Sequence, residues 1–326
     1  MVNEPPFDPT SAPAMPVRAE PSADDLGFGF AAMASTCEIR IAGMNRHRAE
    51  PLARAAIAEV RRIESKFSRY REASVVSRIN AGAGSGLPVD VDVETADLLD
   101  FAAQLHAGSG GLFDITSGML RQAWDFKAKR RPTDAQLAAL LPRVGWAQVR
   151  WQRRGPGLPG RIELPRAGME LDFGGFGKEY AADRAATLLR ERGVRHGMVN
   201  LGGDIRLIGP RLGGRPWVLG VQHPRQADAL VARVELGDGA LATSGDYERF
   251  FELDGVRYCH ILDPRSGRPV SHWQSVSVVA PACLAAGALT TIAMLLQGEA
   301  LDFLRGQNVG FLAIDAQGAV HRHELD

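Results

Sequence analysis

The amino-acid sequence predicts an α+β fold, in which mixed or antiparallel sheets are flanked by helices. Amphipathic helical segments and glycine-turned hairpins follow one another without the regular strand and helix alternation of a doubly wound parallel sheet. The chain has 326 residues, of which 45% are hydrophobic, and this is enough for the core of one large domain or two ordinary ones.

Helical periodicity supports three of the predicted helices. Apolar residues recur at three- and four-residue steps over 49–70, with arginines and glutamates on the opposite side. A second apolar stripe covers 94–108, where Gly108 is expected to stop the helix in the left-handed conformation. A third helix is predicted to start at Thr133, because Thr133 and Gln136 have the spacing of a capping box.

Strands and hairpins account for most of the remaining pattern. The alternation of polar and apolar residues over 35–41 predicts a half-buried strand. The dipeptide Asp254-Gly255 and the turn residues around Gly318 predict tight hairpins. The segment 281–298 is apolar and rich in small residues, which predicts a helix that is buried on most sides.

Charge and cysteine content exclude several classes of function. Lys plus Arg and Asp plus Glu both number 38, so no global field attracts nucleic acid or an anionic membrane. The three cysteines are far apart and form no C-x-x-C pair. They are expected to be buried free thiols, and neither a disulfide framework nor a zinc site.

The N-terminal segment is expected to differ from the rest of the chain. Residues 1–28 are rich in Pro, Ser and acidic residues, which predicts a disordered leader before a single folded domain over 29–326. The leader lacks the basic and apolar regions of a signal peptide, so a cytoplasmic location is expected. No apolar run of about 20 residues was found, so membrane insertion is not expected.

A glycine-rich loop is the first candidate for a binding site. In the segment 169–185, MELDFGGFGKEYAADRA, a strand ending at Asp172 is expected to precede three glycines and a helix from about Glu179. Such a turn directs backbone N–H groups at an anion, and Lys178 adds a charge. The P-loop and dinucleotide-binding patterns both fail here. A simple glycine-rich turn with a solvated lysine remains the alternative.

A second candidate segment, 242–267, reads ATSGDYERFFELDGVRYCHILDPRSG. It combines six polar residues that are suited to catalysis or binding: Ser244, Asp246, Arg249, His260, Asp263 and Arg265. His260 lies between an apolar strand and an Asp-Pro turn, where a histidine can act as a general base. A hydrogen-bonded core histidine is the alternative for His260, and an ordinary turn residue is the alternative for Asp246.

Several long segments, taken together, resemble the ApbE-type FAD:protein FMN transferase family. They are FSRYREASVVSRIN, GLFDITSGML, ELDFGGFGKEYAADRA, VNLGGDI, the 242–267 segment and SVSVVAPACLAAGALTTIAML, in the family's order from about Phe30 to the C-terminus. The resemblance implies a T-fold-related architecture. It also implies cleavage of FAD, transfer of FMN to a Ser or Thr of a target flavoprotein, release of AMP and a requirement for Mg²⁺.

The resemblance also implies roles for individual residues. His260 corresponds to the family's proposed base, and Asp246 is our second catalytic candidate. The positions that resemble FAD contacts are Met33, Tyr70, Leu112, Phe113, Asp114, Asp172, Lys178 and Ile261. For Tyr70 an ordinary half-buried tyrosine, and for Asp114 a loop cap, are the alternatives.

The metal site is where this chain departs from the family pattern. The family combines the carbonyl at Gly175, the hydroxyl at Thr291 and an Asp one helical turn before that Thr. Here the Asp position holds Gly287, and Glu179 stands where the family commonly has Gly. Mg²⁺ prefers hard, usually anionic oxygen ligands, so the remaining carbonyl and hydroxyl are expected to bind it poorly.

Three functions are compatible with this departure. The first is an active FMN transferase with a substitute ligand such as Glu179, Asp204 or Asp246, or with Lys178 taking part of the metal's role. The second is a FAD-binding protein without transfer activity, which serves as a flavin carrier or regulator. The third is a FAD pyrophosphatase without a protein target.

Overall fold

The structure is a computed structural model that describes residues 17–20, 22 and 24–324. The helices are α1 (Arg46–Phe67), α2 (Val75–Ala81), α3 (Val93–Gly108), α4 (Asp134–Leu140), α5 (Gly177–Glu191), α6 (Cys283–Leu296) and α7 (Ala300–Gly306). The strands are β1 (Val17–Ala19), β2 (Asp25–Ala32), β3 (Ser35–Ala42), β4 (Val89–Val91), β5 (Arg150–Arg153), β6 (Gly160–Glu163), β7 (Gly197–Leu201), β8 (Asp204–Ile208), β9 (Trp217–His223), β10 (Gln226–Leu236), β11 (Ala240–Gly245), β12 (Phe250–Leu253), β13 (Val256–Cys259), β14 (Trp273–Ala280), β15 (Gly310–Asp315) and β16 (Val320–His323).

An eight-stranded sheet forms the centre of the molecule, in the order β16-β15-β14-β11-β8-β7-β3-β2. All neighbouring pairs in this sheet are antiparallel. Helices α1, α5 and α6 lie side by side, with α5 in contact with β7 and β8 and α6 in contact with β11 and β14. The predicted α+β class with antiparallel sheets and flanking helices is confirmed.

Both faces of the central sheet are covered, and side-chain alternation explains how. In β7, Met198 packs with Trp217 in one core, whereas Val199 and Leu201 join the core beneath the helices. Successive side chains of a strand point to opposite faces, so one strand serves both cores. The second core lies under the three-stranded sheet β1-β9-β10. A strand covered in this way is buried along its whole length, as β7 is.

Several local predictions are confirmed. Helix α1 contains the predicted amphipathic segment as far as Phe67, and Thr133 and Gln136 form both bonds of a capping box at the start of α4. The hairpin at Asp254 and Gly255 joins β12 to β13. All three cysteines are free and buried.

Three local predictions are wrong. The left-handed glycine after α3 is Gly110, with φ of 61°, while Gly108 stays within the helix. Leu171 and Asp172 belong to no strand, because their backbone groups bond to an Asn80 side chain and to the Ile115 carbonyl instead of a neighbouring strand. The helix that follows begins at Gly177, two residues earlier than expected.

The predicted leader ends earlier than residue 28. Residues 1–16 lie outside the described part of the chain, but Val17 is fully buried and β1 pairs with β9. Strand β2 begins at Asp25 and pairs with β3. The prediction of disorder is therefore wrong for 17–20 and 24–28. Composition is averaged over the whole segment, and it does not reveal that Val17 and Ala19 alternate with an exposed residue as in a strand.

The segment Cys283–Gly306 is long and apolar enough to cross a membrane, which the sequence-based expectation missed. Half of its most apolar window is buried inside the structure. The backbone of Gln297, with φ of 52°, separates α6 from α7, and α6 packs on β11 and β14. In this fold the segment acts as a core helix, whose apolar surface is satisfied by the sheet.

Candidate functional site

Four parts of the chain meet at one end of the central sheet: the start of α5, the turn between β7 and β8, the end of β11 and the middle of α6. The Lys178 Nζ lies 2.8 Å from the Asp204 Oδ2. A side chain at Gly202, in the turn, would stand 3.5 Å from the same Nζ. Sequence reasoning placed Lys178 beside a glycine loop, and the structure adds Asp204 as its ion-pair partner.

Aromatic packing holds the glycine loop before α5. Phe173 and Phe176 are buried and lie with their ring centroids 5.2 Å apart. Phe176 also stacks on Phe113, at 6.1 Å between centroids. A Cβ on Gly175 would stand 3.1 Å from the Phe113 ring, so a glycine allows the loop to approach that ring closely. Gly175 itself is exposed at this point.

Carboxyl groups outnumber ammonium groups around Lys178. Burial alone would lower the pKa of Lys178, but the carboxylates of Asp204, Glu248 and Glu179 raise it above its ordinary value. Burial and the neighbouring Asp204 raise the pKa of Glu179 well above its usual range. Burial also raises the pKa of Glu248. The site therefore holds three carboxyls around one lysine.

Glu179 occupies the space beside the glycine of α6. Its side chain is buried, with 8% of the residue exposed, and its Oε2 has no hydrogen-bond partner among the described residues. A Cβ built on Gly287 would stand 2.5 Å from the Glu179 Cγ and 2.8 Å from its Oε1. Any side chain at 287 would thus collide with Glu179.

Hydroxyl groups line the neighbouring wall of the site. The Ser244 Oγ lies 2.9 Å from the Thr290 Oγ1 and 3.3 Å from the Thr291 Oγ1. Thr290 is buried and its hydroxyl donates to the Gly287 carbonyl at 2.9 Å. Thr291 is only partly buried and lies one turn after Gly287, so its hydroxyl faces the same side of α6.

His260 follows β13 and is held by its backbone. Its N–H donates to the Arg249 carbonyl at 3.0 Å, and its Nδ1 is buried without a hydrogen-bond partner among the described residues. Burial, together with the positive charges of Arg249 and Lys178, lowers the pKa of His260 to about 4. The imidazole is therefore neutral at pH 7, the form that a general base requires.

Asp246 has a different environment from His260. Both of its oxygens accept from Arg225 at 2.6 Å, and Arg257 lies 3.5 Å away. The bidentate pair is a sufficient structural reason for this buried aspartate. Its predicted catalytic role stays a prediction, and its use as a substitute metal ligand would require breaking the pair with Arg225.

Arg69 connects two of the predicted FAD contacts and was missed by the sequence reasoning. Its Nη2 donates to the Tyr70 hydroxyl at 2.7 Å, and its Nη1 pairs with the Asp172 carboxylate. The guanidinium also lies over the Tyr70 ring, at 4.9 Å from the centroid. Tyr70 itself is 51% exposed, so the ring is available to a planar ligand. The only sequence signal for Arg69 is its position next to Tyr70 in the FSRYREASVVSRIN segment.

The remaining predicted contacts are more enclosed. Leu112, Phe113 and Asp114 are all buried. The Asp114 carboxylate accepts from both the N–H and the hydroxyl of Thr116 and from the Trp146 N–H, which fits the alternative of a loop cap. A direct contact of this carboxylate with FAD stays a prediction.

Met33 and Ile261 complete the predicted set. The Met33 N–H donates to the Glu64 Oε1 at 2.5 Å, and its φ is 51°. Ile261 packs against the core between the sheet and α6, and its carbonyl accepts from Val270. Both are partly buried, so each keeps some exposed surface.

Comparison with known proteins identifies the family. The model of the ApbE family matches residues 33–313, which is most of the chain. This chain belongs to the ApbE family. Among curated relatives of this ApbE-family chain, the FAD:protein FMN transferase of Treponema pallidum is 36% identical over 251 residues, covering 72% of this chain and 68% of that protein. The FAD:protein FMN transferase of Vibrio cholerae is 33% identical over 243 residues, covering 73% and 70%.

Solved structures of ApbE proteins share the fold. The crystal structure of the ApbE protein from Thermotoga maritima superposes with a TM-score of 0.83 at 32% identity, covering 92% of this chain and 97% of that one. The flavin transferase ApbE from Vibrio cholerae gives a TM-score of 0.80 at 26% identity, covering 95% and 98%. The predicted ApbE-like architecture is thereby confirmed.

Proposed function

We propose that this ApbE-family chain is a FAD:protein FMN transferase. It cleaves FAD, attaches FMN through a phosphoester to a Ser or Thr of a target flavoprotein and releases AMP. The observation that supports this most directly is the buried His260, whose Nδ1 has no hydrogen-bond partner among the described residues, in a chain whose relatives carry that activity in their names. We further propose that the reaction takes place in the cytoplasm, without insertion of the chain into a membrane.

The chemistry follows from the groups present. The acceptor hydroxyl gives its proton to the free imidazole nitrogen of His260 as its oxygen attacks the phosphorus on the FMN side. The bond from that phosphorus to the bridging oxygen breaks, and AMP leaves with the bridging oxygen. Lys178 places positive charge at the start of α5, beside the glycine-loop N–H groups that can hold the pyrophosphate. Tyr70 offers its exposed ring to the flat part of FAD.

A divalent cation, when bound, would polarise a phosphoryl oxygen as a Lewis acid. The described residues contain no cluster of three or more His, Cys, Asp or Glu side chains that could hold a metal. The donor set nevertheless fits Mg²⁺, which usually keeps several waters and needs only one or two carboxylates. The residues that would hold it are the exposed Gly175, through its carbonyl, Thr291, through its hydroxyl, and Glu179, whose buried Oε2 has no partner among the described residues.

The function is tested by following two products at once. Purified protein is incubated with FAD and Mg²⁺, with and without an acceptor peptide that presents Ser or Thr, and AMP and protein-bound flavin are measured. We expect stoichiometric AMP and covalent flavin on the peptide. AMP without covalent flavin would indicate a pyrophosphatase, and tight FAD binding without AMP would indicate a flavin carrier or regulator. Either outcome contradicts the transferase.

Replacing Tyr70 tests the proposed FAD contact. Tyr70→Ala is expected to weaken FAD binding by about tenfold, since an aromatic contact contributes about 0.5–1.5 kcal/mol beyond the area that it buries. Tyr70→Phe keeps the ring and loses only the hydroxyl that accepts from Arg69, so its affinity should stay close to that of the wild type. Quenching of flavin fluorescence measures both. Equal affinities for all three proteins would place FAD elsewhere.

A further inference from the structure

The family pattern has a carboxylate at position 287 of α6, whereas this chain has one at position 179 of α5. Glu179 belongs to the first turn of α5, and its side chain extends to α6 at the point where Gly287 leaves room for it. The space that a side chain on Gly287 would fill already contains the Glu179 Cγ, Cδ and Oε1, which lie 2.5, 2.8 and 2.8 Å from where the Cβ of that side chain would stand. A carboxyl group is thus present at the place where a side chain of residue 287 would stand, although α6 does not carry it.

One oxygen of the buried Glu179 carboxyl group has no partner among the described residues, although the group also interacts with Asp204. Its residue is 8% exposed, and the Oε2 makes no hydrogen bond within the described part of the chain. Burying an unpartnered carboxylate oxygen is costly, and native structures seldom retain one without a ligand or a role. A coordinating role explains this oxygen better than packing does.

The charge balance of the cluster points in the same direction. Glu179, Asp204 and Glu248 all act electrostatically on Lys178, whose ammonium is directly paired only with Asp204 among the residues that the structure describes. The cluster thus has three carboxyl groups for one ammonium group. A bound divalent cation would compensate the negative charge that these carboxyl groups acquire when they ionise.

We propose that Glu179 supplies the anionic ligand for a divalent cation in this chain, in place of a side chain at position 287. The other two candidates are less suited, because Asp204 is bound to Lys178 and the Thr243 N–H, and Asp246 is bound to Arg225. The Thr291 hydroxyl and the Gly175 carbonyl would be the further protein ligands that hold the cation. The identity of the cation as Mg²⁺ rests on the proposed function.

Direct binding of Mn²⁺ tests this inference without turnover. The electron paramagnetic resonance signal of free Mn²⁺ is titrated with the full-length protein, with and without ADP as a pyrophosphate probe, and Mg²⁺ is added as competitor. We expect Glu179→Gln to weaken Mn²⁺ binding by at least about tenfold, because loss of outer-shell partners alone typically costs about 10–100-fold. Gln has nearly the same volume as Glu, so the fold should persist, which an unfolding curve verifies.

Two control variants separate coordination from charge. Glu191→Gln removes an exposed carboxylate from the other end of α5 and should leave Mn²⁺ binding unchanged. Glu248→Gln removes one charge from the same cluster and should weaken binding clearly less than Glu179→Gln does. Wild-type protein that binds no Mn²⁺, an unchanged affinity in Glu179→Gln, or an equal loss in Glu248→Gln would each overturn the inference.

The outcome for the cation and the outcome for the function are separable. If Glu179→Gln loses Mn²⁺ while the wild type releases no AMP from FAD, the ligand assignment stands and the transferase proposal fails. If Glu179→Gln keeps Mn²⁺ while the wild type releases AMP and labels the peptide, the transferase stands and the ligand assignment fails.

Discussion

Replacement of His260 by alanine is expected to lower the rate of FMN transfer by a factor of about 10² to 10⁴, the usual contribution of a general base. The physical reason is that the neutral imidazole has a nitrogen without a partner among the described residues and can receive the hydroxyl proton. The measurement is single-turnover labelling of an acceptor peptide at saturating FAD. Binding of FAD should change little, so the loss should appear in the rate and not in the affinity.

The matched control for this variant is His47→Ala, which removes an exposed histidine of α1. It should retain the wild-type rate. The pH profile adds a second test, because burial and Arg249 lower the pKa of His260 to about 4. The base is thus neutral throughout the range where a free histidine, with a pKa of about 6.5, would protonate. An acid limb near pH 6.5 that disappears in His260→Ala would contradict this account, as would full activity of the variant.

Gly287→Asp is expected to destabilise the protein by about 3–5 kcal/mol in the absence of divalent cations, the usual cost of an uncompensated buried charge. The new Cβ would lie 2.5 Å from the Glu179 Cγ, and a fourth carboxyl group would enter a cluster that already has three for one lysine. Restoring the family's aspartate is therefore expected to harm this chain. Denaturant unfolding in EDTA measures the difference in the free energy of unfolding.

Three further variants separate the contribution of crowding from that of the added charge. Gly287→Ala adds only the methyl group and is expected to destabilise by about 1–3 kcal/mol, since overpacking forces side chains from their rotamers. Gly306→Ala, in α7, has nothing within 4 Å of its new Cβ and should be neutral. The double variant Glu179→Gly with Gly287→Asp should recover stability and Mn²⁺ binding together. A Gly287→Asp protein as stable as the wild type would show that Glu179 moves aside freely.

Local sequence signals located most of the framework. The periodicity of α1, the capping box at Thr133 and the hairpin at Gly255 depend on residues that are close in the chain, so the sequence alone was sufficient. The strand predicted to end at Asp172 is absent for the opposite reason. Its composition is that of a strand, but the backbone there bonds to residues distant in sequence, and tertiary contacts override propensity.

The residues of the candidate site also fall into those that local sequence signals identify and those that only the fold brings together. The glycine loop, His260 and Thr291 carried recognisable segments and were found from the sequence. Arg69 and Asp172 are 103 residues apart, so no local pattern could reveal that they form an ion pair. The contact of Glu179 with Gly287 was equally invisible. In the sequence, the unusual glutamate and the missing aspartate are two separate departures from the family pattern, whereas in the fold the two positions are in contact.

The contact between positions 179 and 287 makes their substitutions epistatic. Aspartate at 287 together with glutamate at 179 is crowded, glycine at both leaves no carboxylate, and only the two mixed combinations keep one carboxylate in one space. A lineage can pass between the mixed combinations only through one of the two unfavourable intermediates. Inspection of position 287 alone would suggest that the chain has lost a carboxylate, whereas considering both positions together shows that the carboxylate of Glu179 lies in that space.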